Sequence, residues 1–294
     1  MHLHSQDLVA VKTAGGIEIS EATAKVLFYQ VEPKSLDGKY ERANYIHPLY
    51  SLSGKVLTED FPADHPHHHG IFWSWHQIIR DGKGVADGWT SDNIAWEVVK
   101  SQTKKKKHSL SLNAEVLWIS GTNENRQEPI VREDVRIIVH LASENYRIID
   151  FDIRLRALVG NLKIGGSDDA KGYGGFSPRF KLPGDIRFLT KDREITPEAE
   201  AVEAGPWLDF YGSFDGEGQP ESGVAVFCHP ANPGYPQPWI LRREKSMQNV
   251  AFPGRAPIEL SRDGLRLQYR LVIHDRNVNL EALGKLYLEY TSGL

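Results

Sequence analysis

Between Asp64 and Gly70 the chain reads Asp-His-Pro-His-His-His-Gly, so four of its 12 histidines, His65, His67, His68 and His69, fall in one heptapeptide. His47 precedes them and His76 follows. Imidazole exchanges protons near neutral pH and is a common ligand of zinc, iron and copper. Packed imidazoles repel one another when protonated and need partners when buried. The cluster therefore implies acid–base chemistry on a polar substrate, a metal site, or a compensated structural knot. In an extended segment His65, His67 and His69 would share one face and His68 the other. Pro66 argues against a regular central strand there.

Other residues could join this chemistry. Arg179, in Phe176-Ser177-Pro178-Arg179-Phe180, could hold a carboxylate or sugar hydroxyls with its planar fork, or sit in a buried ion pair with Asp168, Asp169 or Asp209. His229 ends a run of strand-forming residues and is a second candidate acid or base, or a capped strand-end histidine. Trp89 closes the loop Asp81–Trp89 and reads as a stacking platform, a lid or a plug at a sheet edge. Tyr173, Trp207, Asn232 and Trp239 complete the candidate substrate contacts. Glu128, Glu133, Asp150, Asp152, Asp209 and Glu244 could each act as a base, and their order depends on burial that sequence does not give.

The elements that must position these groups are mostly strands. Residues 17–20, 25–29 and 45–52 form early strands. Ile71-Phe72-Trp73-Ser74-Trp75 reads as a buried strand after the histidines. Segments 96–100 and 108–119 follow, the second alternating through Leu110, Leu112, Ala114, Val116 and Trp118. Lys104 to Lys107 between them read as a solvated hairpin tip. Segments 133–141 and 146–158 alternate as a hairpin around Ala142-Ser143-Glu144-Asn145. The glycine-rich loop Gly165–Gly175 could let its backbone approach a ligand closely, and it matches no dinucleotide or Walker pattern. Strands at 223–228, 239–243 and 264–274 flank a stiff proline-rich loop, His229–Pro238. Leu280, Leu283, Leu286, Tyr287 and Tyr290 recur at helical spacing after Asn279, a good N-cap. The expectation is mainly β: one large antiparallel β-sandwich domain spanning 1–294, with a short C-terminal helix.

Composition narrows the function classes. The 294 residues carry a net charge of −4, with 40% hydrophobic and 25% charged residues. That balance fits a globular protein and argues against a nucleic-acid partner. No apolar stretch reaches the length of a membrane span, so no membrane partner is expected. Met1 to Asp7 lacks the basic and apolar regions of a signal peptide. The single cysteine, Cys228, allows no internal disulfide and reads as a small buried hydrophobe. These features predict a cytoplasmic protein, with a periplasmic or secreted origin left open. Exposed aromatic strands could pair subunits into a homo-oligomer, though nothing specifies it. No serine-hydrolase elbow is present.

Four motifs occur in order: Asp64–Phe72, Gly174–Arg179, Trp207–Gly212 and His229–Asn232. Together they resemble the bacterial PmoA-like family, labelled "methane oxygenase PmoA" and essentially of unknown function. In that family an arginine usually stands where this chain has His69, so a three-histidine metal site is not implied. The label's membrane copper enzyme does not fit a chain without membrane helices. The family's company implies carbohydrate catabolism, and its expected fold resembles the galactose mutarotase-like β supersandwich. The resulting expectation is acid–base chemistry on a small carbohydrate, by epimerisation, elimination or cleavage of an oxidised glycoside, without a cofactor. His65, His67 or His68 would act as acid, His229 or a carboxylate as base, and Arg179 would steady an oxyanion. The alternatives are a noncatalytic carbohydrate-binding protein and a metal enzyme using His65, His67 and His69.

Overall fold

Alternating burial along the long strands builds the molecule. In a computed structural model, residues 7–121, 128–245 and 247–292 are described; the amino-terminal residues 1–6 lie outside them. Among the described residues the strands form four sheets. The first has the order β1 (Leu8–Lys12), β2 (Gly16–Glu21), β3 (Ala24–Gln30), β6 (Tyr45–Leu49), β7 (Ile71–Trp75), β15 (Gly174–Pro178), β20 (Asn249–Ala251) and β19 (Trp239–Ile240). The second runs β10 (Ile94–Lys105), β11 (Ser109–Ser120), β12 (Pro129–His140), β13 (Tyr146–Ala157), β22 (Leu265–Asp275), β18 (Ser222–Cys228), β17 (Trp207–Gly212) and β16 (Arg187–Leu189). A smaller sheet joins β21 (Ile258–Glu259), β14 (Leu162–Gly165), β8 (Gln77–Arg80) and β9 (Lys83–Ala86), and β4 (Lys34–Leu36) pairs with β5 (Lys39–Arg42). Paired strands run antiparallel, so the mainly β, sandwich-like expectation holds. Helix α1 (Leu280–Thr291) is capped by Asn279, whose side chain accepts from the Ala282 N–H at 2.9 Å.

Side-chain parity sets what each face carries. On β7, Ile71, Trp73 and Trp75 enter the main core, whereas Phe72 joins Tyr45, Trp89 and Met247 in a separate outer cluster. On β18, Val224, Val226 and Cys228 face the core, and Ala225 and Phe227 pack outward with Trp207 against α1. The two outer clusters therefore lie on opposite sides of the sandwich.

One carboxylate breaks the apolar parity. Glu133 occupies the inward series of β12 with Val131, Val135, Ile137 and Val139, fully buried. Its carboxylate accepts from Trp73 Nε1 at 2.6 Å, Trp118 Nε1 at 2.6 Å and Asn44 Nδ2 at 2.8 Å. Tyr29 donates to Asn44 Oδ1 at 2.8 Å. Burial pushes the Glu133 carboxyl up, against the pull of these donors and of the Arg42 charge. Arg42 lies 3.9 Å from the Trp96 ring centre and 4.6 Å from that of Phe72, and donates to the Trp73 carbonyl at 2.9 Å. Burial lowers its pKa to about 9.

Glu133→Ala would strand three buried N–H donors, each costing about 1–3 kcal/mol. The expected loss is at least about 3 kcal/mol, read from denaturant unfolding at neutral pH. A loss below about 1 kcal/mol would show that water or repacking replaces the carboxylate.

Candidate functional site

The histidine heptapeptide folds as two tight turns, not as an extended strand. His65 N–H donates to the Pro62 carbonyl at 3.0 Å and His68 N–H to the His65 carbonyl at 2.9 Å. The expected alternation of faces is thereby corrected. The rings of His65 and His68 stack with centroids 4.7 Å apart, and His67 meets His68 edge-on at 4.6 Å. Pro66 bars the regular ladder that alternation requires. Three backbone bonds seat the loop: Gly70 N–H to Glu59 O at 2.8 Å, Arg179 N–H to Gly70 O at 2.7 Å, and Glu59 N–H to Arg179 O at 3.0 Å. Gly70 permits this approach. Its φ is +24°, and a methyl group there would fall 1.9 Å from the Ile46 carbonyl oxygen.

Arg179 is the hub. Its Nε donates to Glu59 at 2.8 Å, its Nη2 to both Asp64 oxygens at 2.9 and 3.0 Å, and its Nη1 to His68 Nδ1 at 3.2 Å. The residue is 1% exposed. The ion-pair alternative is therefore the one realised, but with Glu59 and Asp64 rather than Asp168, Asp169 or Asp209. A guanidinium so occupied positions the loop; it does not reach outward to an oxyanion.

The imidazoles divide into two kinds. His65, His69 and His76 each turn Nδ1 to a carboxylate: Asp64 at 2.7 Å, Asp60 at 2.9 Å and Asp87 at 2.9 Å. Burial opposes the charge on all three carboxylates, yet their histidine partners and further donors hold them below the usual range. For Asp87 those further donors are the backbone N–H groups of Thr90 and Trp89. His68 is of the second kind: its Nδ1 accepts from Arg179, which leaves the proton on Nε2. Burial and then the neighbouring charges lower the pKa of His67 to about 4 and push His68 further down. Burial outweighs the Asp60 carboxylate and brings His69 to about 4. His69 packs 4.7 Å from the Phe61 ring and 5.0 Å from Tyr45, with no exposed surface. Among the described residues, no group of three or more His, Cys, Asp or Glu side chains is arranged to hold a metal ion.

An aromatic wall backs the imidazoles. Trp89 lies 6.0 Å from His68, 5.2 Å from His76 in a stacked pair, 5.6 Å from Phe72 and 5.4 Å from Tyr173. At 3% exposure its faces are largely covered, so it supports the histidines rather than standing open as a platform. Tyr173 is half-buried beside it. The glycine loop ahead of Tyr173 closes on other backbone: Gly166 N–H donates to Gly254 O at 2.8 Å, and a methyl group on Gly166 would meet Gly172 O at 2.2 Å.

Four of the expected residues do not reach this face. His229 accepts from the Ala231 N–H at 3.1 Å and packs 5.1 Å from Tyr290, on the α1 side of the second sheet. Trp207 lies in the same outer cluster. The Asn232 side chain exchanges two bonds with the Gln268 backbone at 2.7 and 2.8 Å, pairing beside β22 as a neighbouring strand would. Trp239 is fully buried in the core and donates to Gly205 O at 3.2 Å. Parity and strand order carry these groups away from the histidines. Of the acids considered as bases, Glu133 is in the core, Asp150 and Asp152 pair with Arg270 and Arg266, Asp209 pairs with His274, and Glu128 pairs with Arg80.

Sequence reasoning missed His76 and Asp87 as a pair, and Glu59, Asp60 and Asp64 as partners. His76 and Asp87 stand 11 positions apart, at the two ends of the β8–β9 hairpin. A histidine before a short hairpin and an aspartate after it was the available signal.

A family model described as "Family of unknown function (DUF6807)" matches residues 17–287, and the chain belongs to that family. No curated protein and no solved structure matches the chain. Among the described residues no helix is long and apolar enough to cross a membrane.

The neutral imidazoles make stability depend on pH. Between about pH 4 and the ordinary histidine value near 6.5, the unfolded chain binds protons that His67, His68 and His69 refuse in the fold. Their contribution is complete above about pH 6.5 and is lost as pH falls toward 4. Unfolding midpoints at pH 7.5, 6, 5 and 4.5 should fall steadily. His68→Gln, which keeps an acceptor for Arg179, should flatten the slope. A slope unchanged in that variant would remove His68 from the effect.

Proposed function

We propose that this face of the first sheet performs general acid–base chemistry on a small carbohydrate. The observation that carries the reading is the set of adjoining imidazoles, several held neutral, with carboxylates fixing the orientation of three of them. A neutral imidazole can accept a proton at one nitrogen and donate from the other. His65, His67 and His76 are only partly buried, so they are the members a substrate could meet. His76, fixed by Asp87 through Nδ1, keeps Nε2 for a substrate hydroxyl or an acidic C–H. His67, lowered to about 4, is unprotonated at neutral pH and suits the role of base or hydrogen-bond acceptor. His68, buried and held by Arg179, braces the rings of His65 and His67 that pack against it. Each well-placed acid or base typically contributes about 10²–10⁴-fold.

The carbohydrate class draws support from the half-buried Tyr173 ring beside the imidazoles and from the motif resemblance to the PmoA-like family, whose company implies carbohydrate catabolism. His229, on the far side of the sandwich, has no part in this reading.

The test is turnover of a panel of aldoses, glycosides and 3-keto sugars by the wild type, His67→Ala, His76→Ala and Arg179→Lys. The histidine variants should retain the wild-type melting temperature within a few degrees and lose at least about 100-fold in kcat. Arg179→Lys should lose stability as well, because lysine cannot serve Glu59, Asp64 and His68 together. Wild-type turnover in both histidine variants would remove the cluster from catalysis.

A further inference from the structure

Arg242 carries a positive charge that no acid among the described residues balances. Its Nη1 donates to the carbonyls of Glu198 at 2.8 Å and Leu241 at 2.7 Å, and its Nη2 donates to the Ala199 carbonyl at 2.8 Å. Carbonyl oxygens satisfy hydrogen bonds but supply no counter-charge. Three of the five N–H donors are used, which leaves Nε–H and one hydrogen on Nη2.

Those two groups form the edge with which other arginines of this chain hold carboxylates side-on. Arg266 grips Asp152 through Nε at 2.9 Å and Nη2 at 2.8 Å. Arg270 grips Asp150 through Nε at 2.6 Å and Nη2 at 3.0 Å. In Arg242 no carboxylate of the described residues meets the same edge, and the three carbonyls fix the fork in advance. Such fixing reduces the entropy lost when a ligand binds.

The position of the fork connects it to the histidines. The guanidinium carbon lies 5.7 Å from the Tyr173 ring centre. Tyr173 is 5.4 Å from Trp89, and Trp89 is 5.2 Å from His76. Three successive ring contacts therefore lead from the charge to the imidazoles. A ligand lying along the half-buried Tyr173 ring would meet the Arg242 fork.

We propose that this site selects a carbohydrate bearing a carboxylate, with Arg242 holding the acid group through Nε and Nη2 while the hydroxyls face the histidines. The proposal rests on the acid–base reading of the cluster and adds its substrate class. A sugar phosphate also presents an oxyanion, but the planar two-donor edge matches the planar carboxylate that such edges meet elsewhere in this chain.

Calorimetric titration tests this, with D-glucuronate and D-galacturonate against D-glucose, D-galactose and glucose 6-phosphate. The expected result is a uronate affinity at least tenfold above that of the neutral parent and of the phosphate. Arg242→Gln should abolish that preference by bringing uronate affinity down to that of the neutral parent. Arg242→Lys, which keeps the charge and loses the fork, should retain only part of it. The lysine variant decides the matter if the glutamine variant does not fold. Equal affinity for uronate and parent sugar, preference for the phosphate, no uronate binding, or a preference that survives both substitutions would each overturn the proposal. Uronate selectivity without turnover by the wild type would leave Arg242 as the anchor and sink only the catalytic reading.

Discussion

The bond from Trp73 to Glu133 determines which way the candidate site faces. Trp73 belongs to the first sheet and Glu133 to the second, and the indole N–H reaches the carboxylate at 2.6 Å across the core. A buried carboxylate with three donors is costly to desolvate and costlier to leave unpaired. It therefore tolerates few alternative registers. With Trp73 directed inward, Phe72 must face out. Phe72 is the floor on which Trp89 and His69 rest, at 5.6 and 6.0 Å. A slip of one residue in β7 would place the floor in the core and take the Trp73 indole away from Glu133.

Above that floor burial, more than charge, keeps the imidazoles of His67, His68 and His69 neutral. Two carboxylates, Glu59 and Asp64, converge on Arg179, so the guanidinium is buried with its charge balanced locally. Its remaining contact is with a histidine nitrogen, which disfavours a proton there. Asp60 and Asp87 then accept from His69 and His76, fixing the orientation of both rings. Crowding reinforces the neutral state, because protonating one ring raises the cost of protonating the next.

Much of the fold was legible in the sequence because its information is local. The alternation of Ile149, Phe151, Ile153 and Leu155 against Asp150, Asp152 and Arg154 reports parity directly, and those residues divide between core and surface in β13. Asn279 as N-cap and the leucines behind it report α1 in the same way. The histidine segment was legible as a cluster but not as a shape. Its turns depend on bonds to Glu59 and Arg179, the second of them distant in sequence. Arg179 was legible as a charge worth burying, whereas its partners were not, because Asp64, Asp168 and Asp209 are equivalent until the strands are placed. His229 misled for the same reason. A strand-end histidine can serve either face of a sandwich, and the strand order assigns it to the side of α1.

Arg179 and Arg242 show how burial separates a structural cation from one available to a ligand. Both are arginines next to aromatic or histidine side chains, and both have several donors occupied. Arg179 is 1% exposed and meets two carboxylates, as a charge removed from water requires. Arg242 is half-buried and meets three carbonyls, so solvent must screen the charge that the described residues leave unbalanced. Displacing that solvent with a neutral ligand would expose the imbalance and cost affinity. Displacing it with a carboxylate would correct it. Counter-charge, more than the number of hydrogen bonds, therefore marks which arginine completes the fold and which one is left for a ligand.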